Sequence, residues 1–123
     1  MSAAYLHQSR SVLVVEDEAL IRSSIASQLK SAGLAVIEAG DAEEALQAFN
    51  DHTEVAAVFT DRNMPGRFDG LSLLRMIFRR RPGVRLILTS GRGEPLPGEM
   101  PAGAVFLPKP YDMRSLVALV LPG

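Results

Sequence analysis

The chain has no cysteine and no tryptophan among its 123 residues. Without cysteine there is no disulfide framework, thiol nucleophile, zinc finger or iron–sulfur cluster. Histidine is almost as scarce. His7 and His52 are the only two, too few for a His-rich metal site. Both fall where tail or loop is expected, which argues against a catalytic histidine. Excess charge is missing too: 13 Lys and Arg stand against 14 Asp and Glu, a formal net charge of −1. No bulk charge therefore draws the chain to nucleic acid or to an anionic membrane. Long hydrophobic runs are absent. The longest strongly apolar run, Val12–Val15, is stopped by three acids, far short of the ~20 residues of a membrane span. The opening MSAAYLHQSR contains no apolar stretch of the secretory kind. These absences leave a soluble cytoplasmic protein without membrane insertion as the expectation.

What is present is material for a core. Hydrophobic residues make up 47% of the chain and charged residues 22%, the reverse of a disordered composition. At roughly 150 residues per domain, the length allows one domain. Five short apolar runs read as strands: Val12–Val15, Leu34–Ile37, Val55–Thr60, Val84–Leu88 and Ala104–Leu107. Several are apolar throughout rather than alternating, as befits strands of a parallel sheet buried on both faces. Helical spacing falls between them. Ile21, Ile25 and Leu29 recur every four residues, with Gly33 placed as a stop. Asp41 with Glu44 resembles a capping box ahead of Ala45, Leu46, Ala48 and Phe49. Asp69-Gly70 precedes Leu71, Leu74, Ile77 and Phe78, and Asp112 precedes Met113, Leu116, Val117 and Val120. Repeated β-α order predicts a doubly wound α/β domain. Residues 91–103, GRGEPLPGEMPAG, break the rhythm with three prolines and four glycines. Proline lacks the amide donor and clashes with the preceding turn, so a loop is expected there.

In such sheets ligands bind beyond the carboxyl ends of the strands, where the strand order switches. Glu16, Asp17 and Glu18 follow the first expected strand, and Asp61 ends the third. Thr89 and Ser90 end the fourth. Lys109, between Pro108 and Pro110, follows the fifth. Carboxylates gathered on one edge repel one another and need neutralising. A hard divalent cation does this through oxygen ligands, and magnesium uses one or two carboxylates, waters and a phosphate oxygen. A carboxylate can also attack phosphorus, and a lysine and a hydroxyl can then bind the phosphoryl oxygens.

Five segments carry a family resemblance: VLVVEDE (12–18), VFTDRNMPG (58–66), DGLSLL (69–74), LILTSG (86–91) and FLPKPY (106–111). In content and order they resemble the receiver domain of bacterial two-component response regulators, over nearly the whole chain from residue 11. The resemblance implies a doubly wound, flavodoxin-like α/β fold with a five-stranded parallel sheet of order 2-1-3-4-5, flanked by helices. It implies a receiver domain over residues 11–121 behind an N-terminal tail of residues 1–10. Asp61 matches the phosphoacceptor. Glu16 and Asp17 match the acidic pair that holds Mg²⁺, together with Asp61 and the backbone carbonyl of Asn63. Lys109 matches the lysine that contacts the phosphoryl group, before a Lys109-Pro110 bond often cis in the family. Ser90 matches the hydroxyl that closes on that group, with Thr89 next in line if the register differs by one. Phe106 matches the switch aromatic. Asn63 and Arg92 match positions that tune dephosphorylation.

The implied activity is that of a phosphoacceptor. Mg²⁺-dependent transfer from the phosphohistidine of a sensor histidine kinase, or of a histidine phosphotransfer protein, switches a surface read by an unknown output protein. Phosphorylation and dephosphorylation are intrinsic, so no turnover enzyme is expected. With no output domain in the sequence, a stand-alone regulator without direct nucleic-acid contact is expected. Two features depart from the family. PGRFDG (65–70) is one residue longer than the usual form, and 91–103 is short where the family has its fourth helix, which is therefore expected to be shortened or missing.

Each residue also has an ordinary explanation. Asp17 could be a helix N-cap, Asp61 a turn residue, Lys109 a surface lysine and Phe106 simply core. Arg79-Arg80-Arg81 reads as a solvated helix end rather than a nucleic-acid patch. Two other classes compete with the phosphoacceptor. A Mg²⁺-dependent phosphohydrolase of the haloacid-dehalogenase type needs a second aspartate where this chain has Asn63. A phosphorylation-independent binding module, or a phosphate sink, is the remaining alternative.

Overall fold

The computed structural model describes residues 10–121. The expected tail therefore lies outside the described residues except for Arg10, and His7 lies outside with it. Among the described residues lie five strands and four helices, in the order β1 (Ser11–Val15), α1 (Ala19–Ser31), β2 (Ala35–Ala39), α2 (Ala42–Asp51), β3 (Val55–Asp61), α3 (Gly70–Arg80), β4 (Arg85–Ser90), β5 (Val105–Pro108) and α4 (Met113–Val120). All strand pairs are parallel, and the sheet order is β2-β1-β3-β4-β5. The expected doubly wound sheet is thus present. Its order reverses between β1 and β3, which opens a crevice at their carboxyl ends.

Strand alternation distributes the core over both faces. Leu13, Val15, Val58, Leu86 and Leu88 pack on one face with Phe49 of α2 and Leu71, Leu74 and Ile77 of α3. Val12, Val14, Ala57, Phe59 and Ile87 pack on the other with Ile25 and Leu29 of α1 and Leu116 and Val120 of α4. Each of these side chains larger than alanine contributes roughly 1.5–3 kcal/mol by leaving water. The central strands β1, β3 and β4 are buried almost throughout, whereas the edge strands β2 and β5 are partly exposed. The strand ends also differ from the apolar runs. Glu38 and Ala39 extend β2 because Val14 and Val15 offer them ladder partners, and Thr89 and Ser90 extend β4 opposite Leu107 and Pro108. Backbone pairing sets these limits, not hydropathy.

The helix termini follow their signals. Gly33, at φ +93°, ends α1, with Gly33 N–H donating to Lys30 O at 2.9 Å and Leu34 N–H to Leu29 O at 3.1 Å. That paired pattern is the Schellman stop. Asp41, Asp69 and Asp112 cap α2, α3 and α4, each accepting from the amide three residues on at 2.8 Å. In the α2 box the Glu44 carboxylate reaches back to Gly40 N–H rather than to Asp41.

Two ordinary readings are corrected. Asp17 is not an N-cap; Glu18 holds that position, without a side-chain cap bond. The arginine run is not simply a solvated end. Arg81 donates to the carbonyls of Thr53 and Phe49 at 2.8 and 2.7 Å, with its guanidinium 3.6 Å over the Phe49 ring. Arg80 donates to Asn50 at 2.9 Å. Acceptors at and just after the end of α2 — the Phe49 and Thr53 carbonyls and the Asn50 side-chain oxygen — recruit these arginines, unseen in a linear reading.

Among the described residues no helix lies between β4 and β5, so the fourth helix of the family pattern is missing. The segment is held instead by a turn, Glu99 N–H to Leu96 O at 3.0 Å. A second tie runs from Arg75 Nε of α3 to Glu99 O at 2.8 Å. Leu96 stands 71% exposed at its tip.

Candidate functional site

The carboxyl ends of β1, β3, β4 and β5 gather the polar residues expected there. Glu16 and Asp61 are nearly buried, at 5% and 7% exposed, while Asp17 is exposed. One carboxylate oxygen from each of the three lies within 4.8 Å of those of the other two. Lys109 Nζ meets Asp61 Oδ2 at 2.7 Å, and Asn63 N–H donates to Asp61 Oδ1 at 3.2 Å. The Lys109–Pro110 peptide is cis.

The Glu16 carboxyl is held above its ordinary value. Burial is the main cause, and Asp17 and the Asp61 charge add to it. The Glu18 amide, donating to Glu16 Oε2 at 2.9 Å, works the other way. A site that penalises the charge of its own carboxylate is one that a cation would relieve. An all-oxygen donor set, two of its members nearly buried, also fits a hard divalent ion. The residues present therefore suit Mg²⁺.

Ser90 is buried beside this cluster. Its Oγ accepts from Arg92 N–H at 3.0 Å and from Asn63 Nδ2 at 3.4 Å. Thr89, the other hydroxyl, is buried, and its Oγ1 has no hydrogen-bond partner among the described residues. Ser90 is thus the hydroxyl tied to Asn63, two residues from Asp61. Phe106 pairs in register with Leu88, two residues before Ser90, so Phe106 and Ser90 share a sheet face. Phe106 is half-buried there against the core under α2 and α3.

Three neighbours escaped the sequence reading. Tyr111, two residues beyond Lys109, packs edge-on against Phe59 with ring centroids 5.6 Å apart. Burial, together with the charges of Glu16 and Asp61, pushes its hydroxyl up to about 12. Its place after Lys-Pro was the available signal. Gly70 is pressed against the end of β3: a Cβ there would overlap the Asp61 carbonyl oxygen and lie 2.8 Å from the Asp61 carbonyl carbon. Asp-Gly ahead of a helix hinted at a close approach without saying to what. Arg22 reaches the Glu16 carbonyl, and no local pattern marks it.

The family model of the response regulator receiver domain matches residues 12–121. The chain belongs to this family. Among its relatives, the sensor kinase CckA of Brucella abortus is 37% identical over 96% of the chain. The transcriptional regulatory protein FixJ of Azorhizobium caulinodans is 36% identical over 92%. The chain spans only 13% of that CckA and 54% of that FixJ. The solved receiver domain of NtrX from Brucella abortus superposes with a TM-score of 0.78 at 35% identity, covering 89% of this chain and 93% of that one. A receiver domain from Clostridium thermocellum gives 0.79 at 28% identity, covering 90% of each. A phosphoacceptor role is what membership of this family supports. Among the described residues of this receiver domain, no helix is long and apolar enough to cross a membrane.

Proposed function

We propose that the domain accepts a phosphoryl group on Asp61 in a Mg²⁺-dependent transfer, and that the modified domain switches a surface read by a partner. The observation that carries this reading is the Asp61 carboxylate itself. It is nearly buried at the end of β3, paired with Lys109 at 2.7 Å and clustered with Glu16 and Asp17. The donor is a phosphohistidine on a sensor histidine kinase or a histidine phosphotransfer protein. One Asp61 oxygen attacks phosphorus in line. The new P–O bond forms as the P–N bond breaks, and the imidazole nitrogen keeps the electron pair.

Glu16, Asp17, Asp61 and the Asn63 carbonyl would hold Mg²⁺, which when bound offsets charge on the transferring phosphoryl oxygens. Lys109 leaves its bond to Asp61 Oδ2 for a phosphoryl oxygen. Ser90 is a hydroxyl that accepts two hydrogen bonds here and still has a proton to donate. Turning it inward breaks its bond from Arg92 N–H, which couples the site to residues 91–103 and lets Phe106 follow on the same face. This is a shift between two populations. Water hydrolysis of the aspartyl phosphate resets the domain. The domain is then both catalyst and substrate of one modification, not a turnover enzyme.

The test is intact mass after incubation with a small acyl-phosphate donor, with and without Mg²⁺, for the parent and Asp61→Asn. A single Mg²⁺-dependent phosphoryl adduct on the parent alone is expected. An equal adduct on Asp61→Asn would move the acceptor elsewhere. No adduct from either the small donor or a phosphorylated histidine phosphotransfer protein would overturn the reading in favour of a phosphorylation-independent binding module.

A further inference from the structure

The Glu16 backbone is held on both sides from outside the carboxylate cluster. Its N–H donates to the Ala39 carbonyl at the end of β2 at 3.1 Å. Its own carbonyl accepts from Arg22 Nη1 at 2.8 Å. Arg22 Nε meets Glu38 Oε1 of β2 at 3.3 Å, so one guanidinium ties α1 to both the β1–α1 turn and the neighbouring strand. Gly40 leaves it room, since a Cβ there would come within 3.3 Å of Nη1. The Arg22 side chain is only 22% exposed. A planar guanidinium serves both acceptors at once through its fixed fork, whereas an ammonium is a single compact donor.

We infer that Arg22 is a positioning residue: by fixing the backbone at Glu16 it sets the Glu16 and Asp17 carboxylates for the divalent cation. This rests on the Mg²⁺-dependent reading above. Two effects of Arg22 have opposite signs. Its positive charge near the cluster opposes a dication. Its hold on the ligand backbone favours the dication, as residues that orient metal ligands do. A purely electrostatic Arg22 makes Mg²⁺ bind more tightly once removed, and a positioning Arg22 makes it bind more weakly.

Calorimetric Mg²⁺ titration of the full chain decides this, for the parent, Arg22→Ala and Arg22→Lys, well below the melting temperature of each. Arg22→Ala should bind about tenfold more weakly. Arg22→Lys keeps the charge and the aliphatic stem, so its fold is secure, yet it loses the fork and should bind severalfold more weakly. Affinity equal to or tighter than the parent's in either folded variant would overturn the positioning role while leaving the Mg²⁺ site intact. A parent that takes up no Mg²⁺ would instead overturn the reading on which the role rests.

Discussion

Replacing Gly70 by alanine tests how tightly α3 is seated on the end of β3. Gly70 is the first residue of α3, just after the Asp69 cap, and its N–H donates to Arg62 O at 2.8 Å. A methyl group there would overlap the Asp61 carbonyl oxygen and lie 2.8 Å from the Asp61 carbonyl carbon and 2.9 Å from Arg62 Cα. All three atoms are backbone, so no side chain can swing aside. Either the start of α3 or the Asp61–Arg62 peptide has to move. Overpacking of this kind costs typically ~1–3 kcal/mol, and straining the Gly70–Arg62 bond adds about 1 kcal/mol. The better helix propensity of alanine returns up to about 1 kcal/mol. The net expectation is a loss of about 1–3 kcal/mol, or roughly 4–12 °C in melting temperature for a domain of this size. Gly83→Ala is the control, because nothing lies within 4 Å of its added Cβ. Thermal melts followed by circular dichroism read the difference. Gly70→Ala melting together with Gly83→Ala would refute the close approach of α3 to the Asp61–Arg62 backbone.

Three more expectations follow from the same geometry. Replacing Glu16 and Asp17 by Gln and Asn removes two carboxylates of the cluster. The parent should gain ~2.7 kcal/mol at Mg²⁺ a hundredfold above its dissociation constant and the double variant nothing; an equal gain in both melts would place the ion elsewhere. The Ser115 amide holds the Asp112 carboxyl below its ordinary 3.8, so this cap adds stability above pH 3.8 that is lost as pH falls through the lower folded value. The melting gap between parent and Asp112→Ala, open at neutral pH, should therefore narrow in acid, and a gap independent of pH would remove the ionic part of the cap. Residues 91–104 carry few backbone hydrogen bonds, so their amides should exchange faster than those of β4 and β5; protection matching the strands would mean a more rigid segment than its turns suggest.

Much of this domain was legible residue by residue. Apolar runs marked the strands because central strands of a parallel sheet are buried on both faces, as Val12–Val15 is here. Asp41, Asp69, Asp112 and Gly33 marked helix ends because capping is a local interaction between a side chain or a φ angle and the next few amides. The prolines and glycines of 91–103 excluded a helix for an equally local reason. The site residues were visible as types placed at strand ends, since the topology of such sheets sends every strand terminus to the same edge.

Contacts that cross the sequence were not visible. Arg81 looked like a solvated end until the fold brought it under Phe49 and Thr53, 32 and 28 residues away. Arg22 carried no signal because its acceptors belong to a turn and to a neighbouring strand. The family resemblance already put Ser90 ahead of Thr89; what the ladder adds is that Ser90 lies on the face it shares with Phe106 and reaches Asn63. The residue types at the strand ends and the order of the elements were thus determined by the sequence alone, because burial pattern and capping act over a few residues. That Ser90 reaches Asn63, how closely Gly70 approaches Asp61 and what anchors Glu16 were decided only in the tertiary structure. Those are distances between atoms of separate elements, and packing alone sets them.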